Sequence, residues 1–567
     1  MASLVERLDA QLAALLADWT HVTTLLAVAV VTLVVYPIIF PEEPDTHPLL
    51  LARQASVAPV RNRGESAVYR TPETPHGYPL TSGLNVKDDG APRWAAGKNG
   101  DLRDVWREVL RGGTTGAGDK EIPKGLIMTV LGKQELIEHE IEDLTKEIAV
   151  IGQHLKSIGV NRVAIYLPNS IEYLMTLFAC SFYGLTPILL PYNQPHPKVF
   201  ELLSAVDADA IVCAAGNLPL ETLASSCPKL RSLTWVVEKT SRHMDWNGVP
   251  DNAADRLTVS VWHNLVEENK SPAVALPSNE TGDQPGDVVI VWQPVSADKK
   301  PEIITFTQSN IVSAVASLIS ALPLRQRFNS GDLIVPADTF THSYVLCQTL
   351  AALYVHASIA VTSVAVAGID IATATSCVSP TVIIVSAETL ANRHETETAG
   401  ISSTIQRVGK YSQDQTLNAG RMPTDNILFK LMAPGSTASG NTPGTLRLIL
   451  TSERLGAGSP VLTSTMLSDL RLFIKARICY ALTCPQVAGA VAQTNVFDYR
   501  RVDGRGYAPF GIPLSSVEIK LVSADDSKLD GNSPQGKLVV SGPAVSGKEV
   551  KLGVEAKIRD DLTLALV

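Results

Sequence analysis

Apolar positions along this chain follow two patterns, one continuous and one periodic. From Val22 to Phe40 they are almost unbroken and no charged residue intervenes. At about 1.5 Å per residue such a run spans roughly 29 Å, close to the hydrocarbon thickness of a bilayer. The pattern predicts a transmembrane helix over 20–40, with Pro37 near its end, where a broken turn costs least. The run closes on Tyr36-Pro37-Ile38-Ile39-Phe40-Pro41, with no small-residue site for signal-peptide cleavage. Ahead of it, Leu4, Leu8, Leu12, Leu15 and Leu16 share one helical face. They predict an amphipathic helix over 1–19 lying at the interface, or an extension of the anchor.

Residues 41–125 are rich in Pro, Gly and Arg with little periodicity, and read as a tether that partly packs on the body. The periodic pattern then begins. Ile137, Ile141, Leu144, Ile148, Ile151 and Leu155 recur at intervals of three and four, predicting a helix over 133–158. Arg162 to Leu167 reads as a buried strand, Ile171 to Tyr183 as a helix, and Thr186 to Pro191 as the next strand. Val199 to Val206 and Ala210 to Cys213 repeat the alternation, as do Asp287 to Trp292 and Ile311 to Leu322. Helix and strand at this spacing imply a doubly wound, parallel sheet. The α/β body is expected over 126–445, with a polar insertion at 395–444. Strands at 446–450, 478–481, 517–522 and 537–540 follow within 446–543, the last two separated like an antiparallel hairpin. Residues 544–567 read as a short tail.

Composition narrows the partners. The net charge of -9 offers no basic surface for phosphates, so nucleic acid is not expected as a partner. Seven scattered cysteines lack CxxC or Cys/His metal spacing, so no metal site is expected, and buried thiols in a reducing compartment fit best. Arg53, Arg61 and Arg63 follow the apolar run, whereas only Arg7 precedes it, which predicts a single-pass protein with a cytosolic body. Sequons at Asn269 and Asn279 make that orientation testable, since a glycan on either would refute it. The absence of basic flanks close to the run favours the endoplasmic reticulum or lipid droplet over the mitochondrial outer or peroxisomal membrane.

The order of motifs adds a family. Asp143-Leu144-Thr145-Lys146-Glu147-Ile148, Arg162 to Asn169, and Tyr183-Gly184-Leu185-Thr186-Pro187 resemble the opening of the adenylate-forming (AMP-binding) superfamily. Tyr480-Ala481-Leu482-Thr483, Gly511-Ile512-Pro513, and Gly536 to Pro543 continue the likeness, which runs from about Lys133 to Pro543. Long-chain acyl-CoA synthetases are most similar. The resemblance implies an adenylate-forming N-terminal domain, with two doubly wound subdomains and a small β-rich one, which would stand behind the one transmembrane helix read from the apolar run. It also implies carboxylate activation by ATP and magnesium, followed by transfer to CoA.

The positions that carry this chemistry depart from the family pattern. In place of the TSGTTGxPKG phosphate loop stands Pro294-Val295-Ser296-Ala297-Asp298-Lys299-Lys300-Pro301-Glu302-Ile303. Its glycines, which let backbone amides approach a polyphosphate, are missing, and Pro294 has no amide to donate. Glu302 brings negative charge where the family has lysine. Pro301, Thr307 and Asn310 still match. In the YGxTE motif, Tyr480 and Thr483 match, but Cys484 replaces the glutamate that holds magnesium, and a thiol ligates a hard cation poorly. Thr451-Ser452-Glu453-Arg454 replaces a turn where two glycines are usual, and the ribose-binding segment, hinge and C-terminal lid are not met before Val567.

The nucleotide site is therefore expected to be vestigial, formed by Pro301, Thr307, Asn310, Tyr480 and Thr483, with no catalytic residue and no cofactor. His342 and Leu350, with Cys347 and Leu353, mark a possible acyl pocket; core packing explains the same helical stripe. Gly112 to Lys120 fails the phosphate-loop pattern, His139 lies outside an HExxH motif, and no GxSxG elbow is present. Arg242-His243-Met244-Asp245-Trp246 has no evident chemical role. The expected function is that of an inactive, membrane-anchored acyl-CoA-synthetase-like scaffold or regulator binding membrane lipid, fatty acid or acyl-CoA, or a protein partner. The alternatives are an active long-chain fatty acid-CoA ligase using ATP and magnesium through atypical residues, or a non-catalytic subunit beside an active relative.

Overall fold

The computed structural model describes residues 20–39, 47–87, 95–114, 121–131, 135–237, 257–269, 276–278, 283–293, 300–401, 403–422, 445–502, 504, 506–531 and 533–567. The expected amphipathic helix over 1–19, the phosphate-loop segment 294–299, residues 242–246, Asn279 and residues 423–444 of the polar insertion lie outside them.

Three sheets build the body. The first has seven strands in the spatial order Thr258–Val261, Ser232–Val236, Ala210–Ala214, Arg162–Tyr166, Thr186–Leu189, Val288–Trp292, Glu302–Phe306. All pairs are parallel except the last, a hairpin. The second has nine strands. Its centre is parallel and runs Arg477–Thr483, Leu448–Arg454, Val382–Ser386, Leu333–Pro336, Ser358–Thr362, Ile127–Leu131. Its central strands are buried on both faces and accordingly read as continuous apolar runs. The helix–strand alternation implies a parallel, doubly wound sheet, and the family resemblance implies the pair of them that is found.

The third sheet is antiparallel and draws on both ends of the chain. Ser56–Val57 and Tyr69–Arg70 pair with each other, and Tyr69 lies opposite Ile519. Glu518–Val522, Gln535–Ser541, Glu549–Ile558 and Leu564–Leu566 complete it. Residues 544–567, read as a tail, thus supply two strands.

The segment read as a tether is likewise built in. Leu102–Arg111 is a helix closed by a capping box between Asp101 and Asp104. Its Trp106 is fully buried, tilted on Phe178 at 5.0 Å, with Nε1 donating to Thr145 Oγ1 at 3.2 Å.

The helix expected over 133–158 divides. Glu135–His139 is an edge strand antiparallel to Ile127–Leu131, and the helix spans Ile141–Ile158. Ile137, which matched the helical period, lies opposite Thr129 and is 37% exposed. A three-to-four spacing that includes one strand residue is a coincidence of phase, broken at Glu140, where the backbone is extended.

His21–Ile39 is helical, with side chains described for residues 21–32. Val22, Leu25, Leu26, Val28, Val30 and Val31 all stand exposed. Among the described residues no helix is long and apolar enough to cross a membrane, so the fold does not establish the anchor expected over 20–40.

Candidate functional site

The carboxyl ends of parallel strands are where open α/β sheets place ligands. Here the ends of two such sheets meet. Asn169, just beyond Arg162–Tyr166 of the first, donates from Nδ2 to the Asp338 carbonyl at 2.8 Å. Its Oδ1 accepts from the Phe340 amide at 2.8 Å, beyond Leu333–Pro336 of the second. One buried side-chain amide therefore ties the two subdomains together. Between them opens a cleft of about 230 Å³, to which Asn169, Tyr192, Trp292, His342, Ser363 and Arg454 contribute. Val366 at its edge is 48% exposed.

Charge in the cleft is held by an ion pair between partly exposed Arg454 and buried Asp338. Arg454 ends its strand and donates to Asp338 Oδ2 at 2.5 Å. Burial alone would raise the Asp338 carboxyl, but the Arg454 charge, the neighbouring His342 ring and the Thr339 amide at 2.8 Å hold it well below the usual carboxylate range. The neighbouring Glu453 goes the other way. Burial pushes it up to about 8, against the pull of the Tyr480 hydroxyl, which donates to Oε2 at 3.1 Å, and of Arg454. Adjacent residues on one strand thus carry an ionised pair partner and a carboxyl that stays protonated at neutral pH.

His342 has a definable tautomer. Thr483 Oγ1 gives its one proton to the Glu453 carbonyl at 2.7 Å. The 3.2 Å contact between Thr483 Oγ1 and His342 Nε2 must then be donated by the ring. That leaves Nδ1 as an acceptor, without a hydrogen-bond partner and 3.8 Å from the Asp338 carboxylate. Burial, aided by the Arg454 charge, lowers His342 to about 4 against the attraction of Asp338. The imidazole is neutral at pH 7, edge-on to Trp292 at 5.7 Å.

The expected vestigial positions separate into two places. Thr307 and Asn310 form a capping box at the start of the helix Gln308–Ala321, with Thr307 N donating to Asn310 Oδ1 at 2.8 Å. Asn310 Nδ2 donates to the carbonyls of Pro543 at 2.6 Å and Val545 at 3.0 Å. These two residues cap a helix, and Asn310 ties it to the loop that joins two strands of the third sheet. Pro301 precedes the hairpin strand Glu302–Phe306. Tyr480 and Thr483 lie together on Arg477–Thr483, both fully buried. Leu350 and Cys347 are fully buried in the core, and the cleft takes His342 from that segment instead. Sequence reasoning missed Asn169, Asp338 and Arg454. The available signal was a Glu-Arg pair ending an otherwise apolar strand.

A magnesium–nucleotide complex is a poor fit to these groups. Cys484 is buried and its thiol pushed up to about 12, so it is neutral and soft where a hard cation needs oxygen. The Glu302 carboxylate reaches over the same stretch and accepts from Gln486 Nε2 at 2.8 Å. Thr483 already has its hydroxyl engaged. Among the described residues no group of three or more His, Cys, Asp and Glu is placed to hold a metal ion.

With fold and cleft in view, the comparisons agree. Residues 138–547 match the AMP-binding enzyme family, and the chain belongs to it. An uncharacterized protein of Saccharomyces cerevisiae is 21% identical, the match covering 89% of this chain and 87% of that one. Among solved structures, the anthranilate CoA ligase AuaEII in complex with anthranoyl-AMP is similar with a TM-score of 0.56 at 13% identity, covering 85% of this chain and 79% of that one. A long-chain-fatty-acid-CoA ligase of Archaeoglobus fulgidus gives 0.53 at 13%, covering 86% of each. The N-terminal domain of FACL13 from Mycobacterium tuberculosis gives 0.55 at 12%, covering 82% of this chain and 99% of that one. At these identities the likeness to solved structures is one of fold.

Proposed function

We propose that this chain is an acyl-CoA-synthetase-like protein that has lost adenylation and keeps the cleft between its sheets as a lipid-binding site. The observation that carries this reading is the state of the stretch from Glu453 to Cys484. Every group there that would meet a nucleotide or its metal is buried, engaged with a neighbour, or neutral. Loss of one preorganised donor typically costs about 10²–10³ in rate, and here the metal ligand and the phosphate-loop glycines are replaced together. A fatty acid, acyl-CoA or related membrane lipid suits the cleft, whose apolar rim includes Val366.

The proposal includes a membrane anchor at His21–Ile39. An apolar helix whose described residues 21–32 are almost all exposed is unstable in water and at home in lipid. The body then faces the cytosol, on the endoplasmic reticulum or lipid droplet, where the protein acts as a scaffold or regulator.

Pyrophosphate release from ATP by the full chain with magnesium, CoA and palmitate tests the catalytic half. The expected result is no release above a protein-free blank, and no rise in melting temperature with ATP and magnesium, since a bound ligand must stabilise the native state. Turnover that a Thr483→Val change abolishes would overturn the proposal in favour of an atypical ligase.

A further inference from the structure

The charge balance of the cleft between the two sheets narrows what it can hold. Among its described lining residues Arg454 alone is charged at pH 7, since the His342 imidazole is neutral. That charge is already matched. The Asp338 carboxylate, 2% exposed and outside the lining, accepts from Arg454 Nη2 at 2.5 Å. An incoming carboxylate would be attracted by Arg454 and repelled by Asp338 from nearly the same place, so the two effects largely offset each other. Its desolvation would go uncompensated, and an unpaired carboxylate loses far more on leaving water than a hydroxyl or an ester does.

Hydrogen-bond donors nevertheless remain. Arg454 meets Asp338 through one nitrogen, its other donors make no hydrogen bond among the described residues, and its side chain stays 20% exposed. Tyr192, partly exposed on the same wall, accepts from Asn217 Nδ2 at 2.7 Å and keeps its own hydroxyl proton to give. Val291, Trp292, Ala365 and Val366 supply apolar lining. The wall therefore has spare donors but no spare charge. An apolar cavity of about 150 Å³ holds benzene. The cleft, at about 230 Å³, has room for a small polar head and the first carbons of an alkyl chain.

We propose that the cleft selects an uncharged lipid, a fatty alcohol or ester whose oxygen accepts from Arg454, over the corresponding fatty acid anion. The inference rests on the reading of the cleft as a lipid site and narrows it. Asp338 is then the residue that sets specificity, because it turns an arginine that would bind anions into a donor without net charge.

Equilibrium dialysis of the full chain in detergent against radiolabelled octanol, methyl octanoate or octanoate at neutral pH, with protein-free micelles as the blank, tests it. The alcohol and the ester are expected to bind at least about tenfold more tightly than the anion. Asp338→Asn, which frees the Arg454 charge, should invert that order by raising octanoate affinity about tenfold or more. Asp338→Asn combined with Arg454→Gln removes both charges and should restore the preference for the uncharged pair, and it serves where the single variant does not fold. Val366→Trp, at the exposed rim, should abolish binding of all three without moving the melting temperature. Octanoate held as tightly as octanol by the wild type, or an order that Asp338→Asn leaves unchanged in a folded chain, overturns the inference while the lipid cleft stands. No binding above the blank, or binding that Val366→Trp leaves intact, overturns the lipid reading of the cleft and the inference with it.

Discussion

Glu453 and His342 titrate in opposite senses, and the difference predicts the pH dependence of stability. The Glu453 carboxyl sits at about 8 in the folded chain against about 4.3 unfolded, so the native state holds the extra proton between those values. Stability from this group is therefore greatest below pH 4.3 and falls as pH rises towards 8, by about 1.4 kcal/mol per unit. His342 sits at about 4 against about 6.5 unfolded; there the unfolded chain holds the extra proton, and stability rises with pH across that interval. The two nearly offset each other up to pH 6.5, and above it Glu453 acts alone. Glu453→Gln keeps an acceptor for the Tyr480 hydroxyl and removes the titration. Urea unfolding should show the wild type losing about 1–2 kcal/mol between pH 6.5 and 8 while the variant stays level. A variant with the same decline would mean that Glu453 is ionised in the native state.

Asn310 matches a family position, yet its contacts here are a helix cap and two carbonyls of the loop between the strands Gln535–Ser541 and Glu549–Ile558. Asn310→Ala should cost about 1–3 kcal/mol in urea unfolding, because it leaves those groups unsatisfied. The loss should be the same with and without ATP and magnesium. A loss that appears only with nucleotide would return Asn310 to a binding role.

Among elements, those whose period reflects burial on one side or both were legible in the chain. Ile171–Phe182, Arg162–Tyr166 and Arg477–Thr483 fall within a residue or two of where the apolar pattern puts them. Elements built by pairing across long sequence separations were not. Ser56–Val57 and Tyr69–Arg70 are two-residue strands, too short for any period, and Tyr69 finds its partner at Ile519. The helix Leu102–Arg111 carried its signals, a capping box and Trp106, but lay among Pro, Gly and Arg that mask periodicity. The cleft was half visible: sequence pointed to His342 and to Thr483 buried behind it, while Asp338 and Asn169 act only because two sheets bring them together. Trp106 tests whether this segment belongs to the core. Trp106→Ala should cost about 3–5 kcal/mol in chemical unfolding, as for other buried large-to-small changes. A cost under 1 kcal/mol would restore the loose tether.

For the whole molecule, the exposed residues 21–32 contrast with the segment beyond residue 47, which is paired into the third sheet. Residues 21–32 are almost all exposed, so nothing they contact in the body is lost on removal. Beyond residue 47 the case reverses. Arg61 pairs with Asp526, Glu65 with Lys520, and Arg70 with Glu518, and Tyr69 is buried in the sheet. Deleting residues 1–40 should therefore leave thermal unfolding within about a degree of the full chain, while deleting 1–74 should abolish a cooperative transition. Alkaline carbonate extraction of cell membranes reads the other consequence. The full chain should stay with the pellet and the chain lacking 1–40 should move to the supernatant, because the free-energy gain of burying a uniformly apolar helix resides in that segment alone. If the shortened chain stays with the membrane, attachment comes from the body, and the exposed leucines at 49 and 51 and the cleft rim at Val366 become the surfaces to examine.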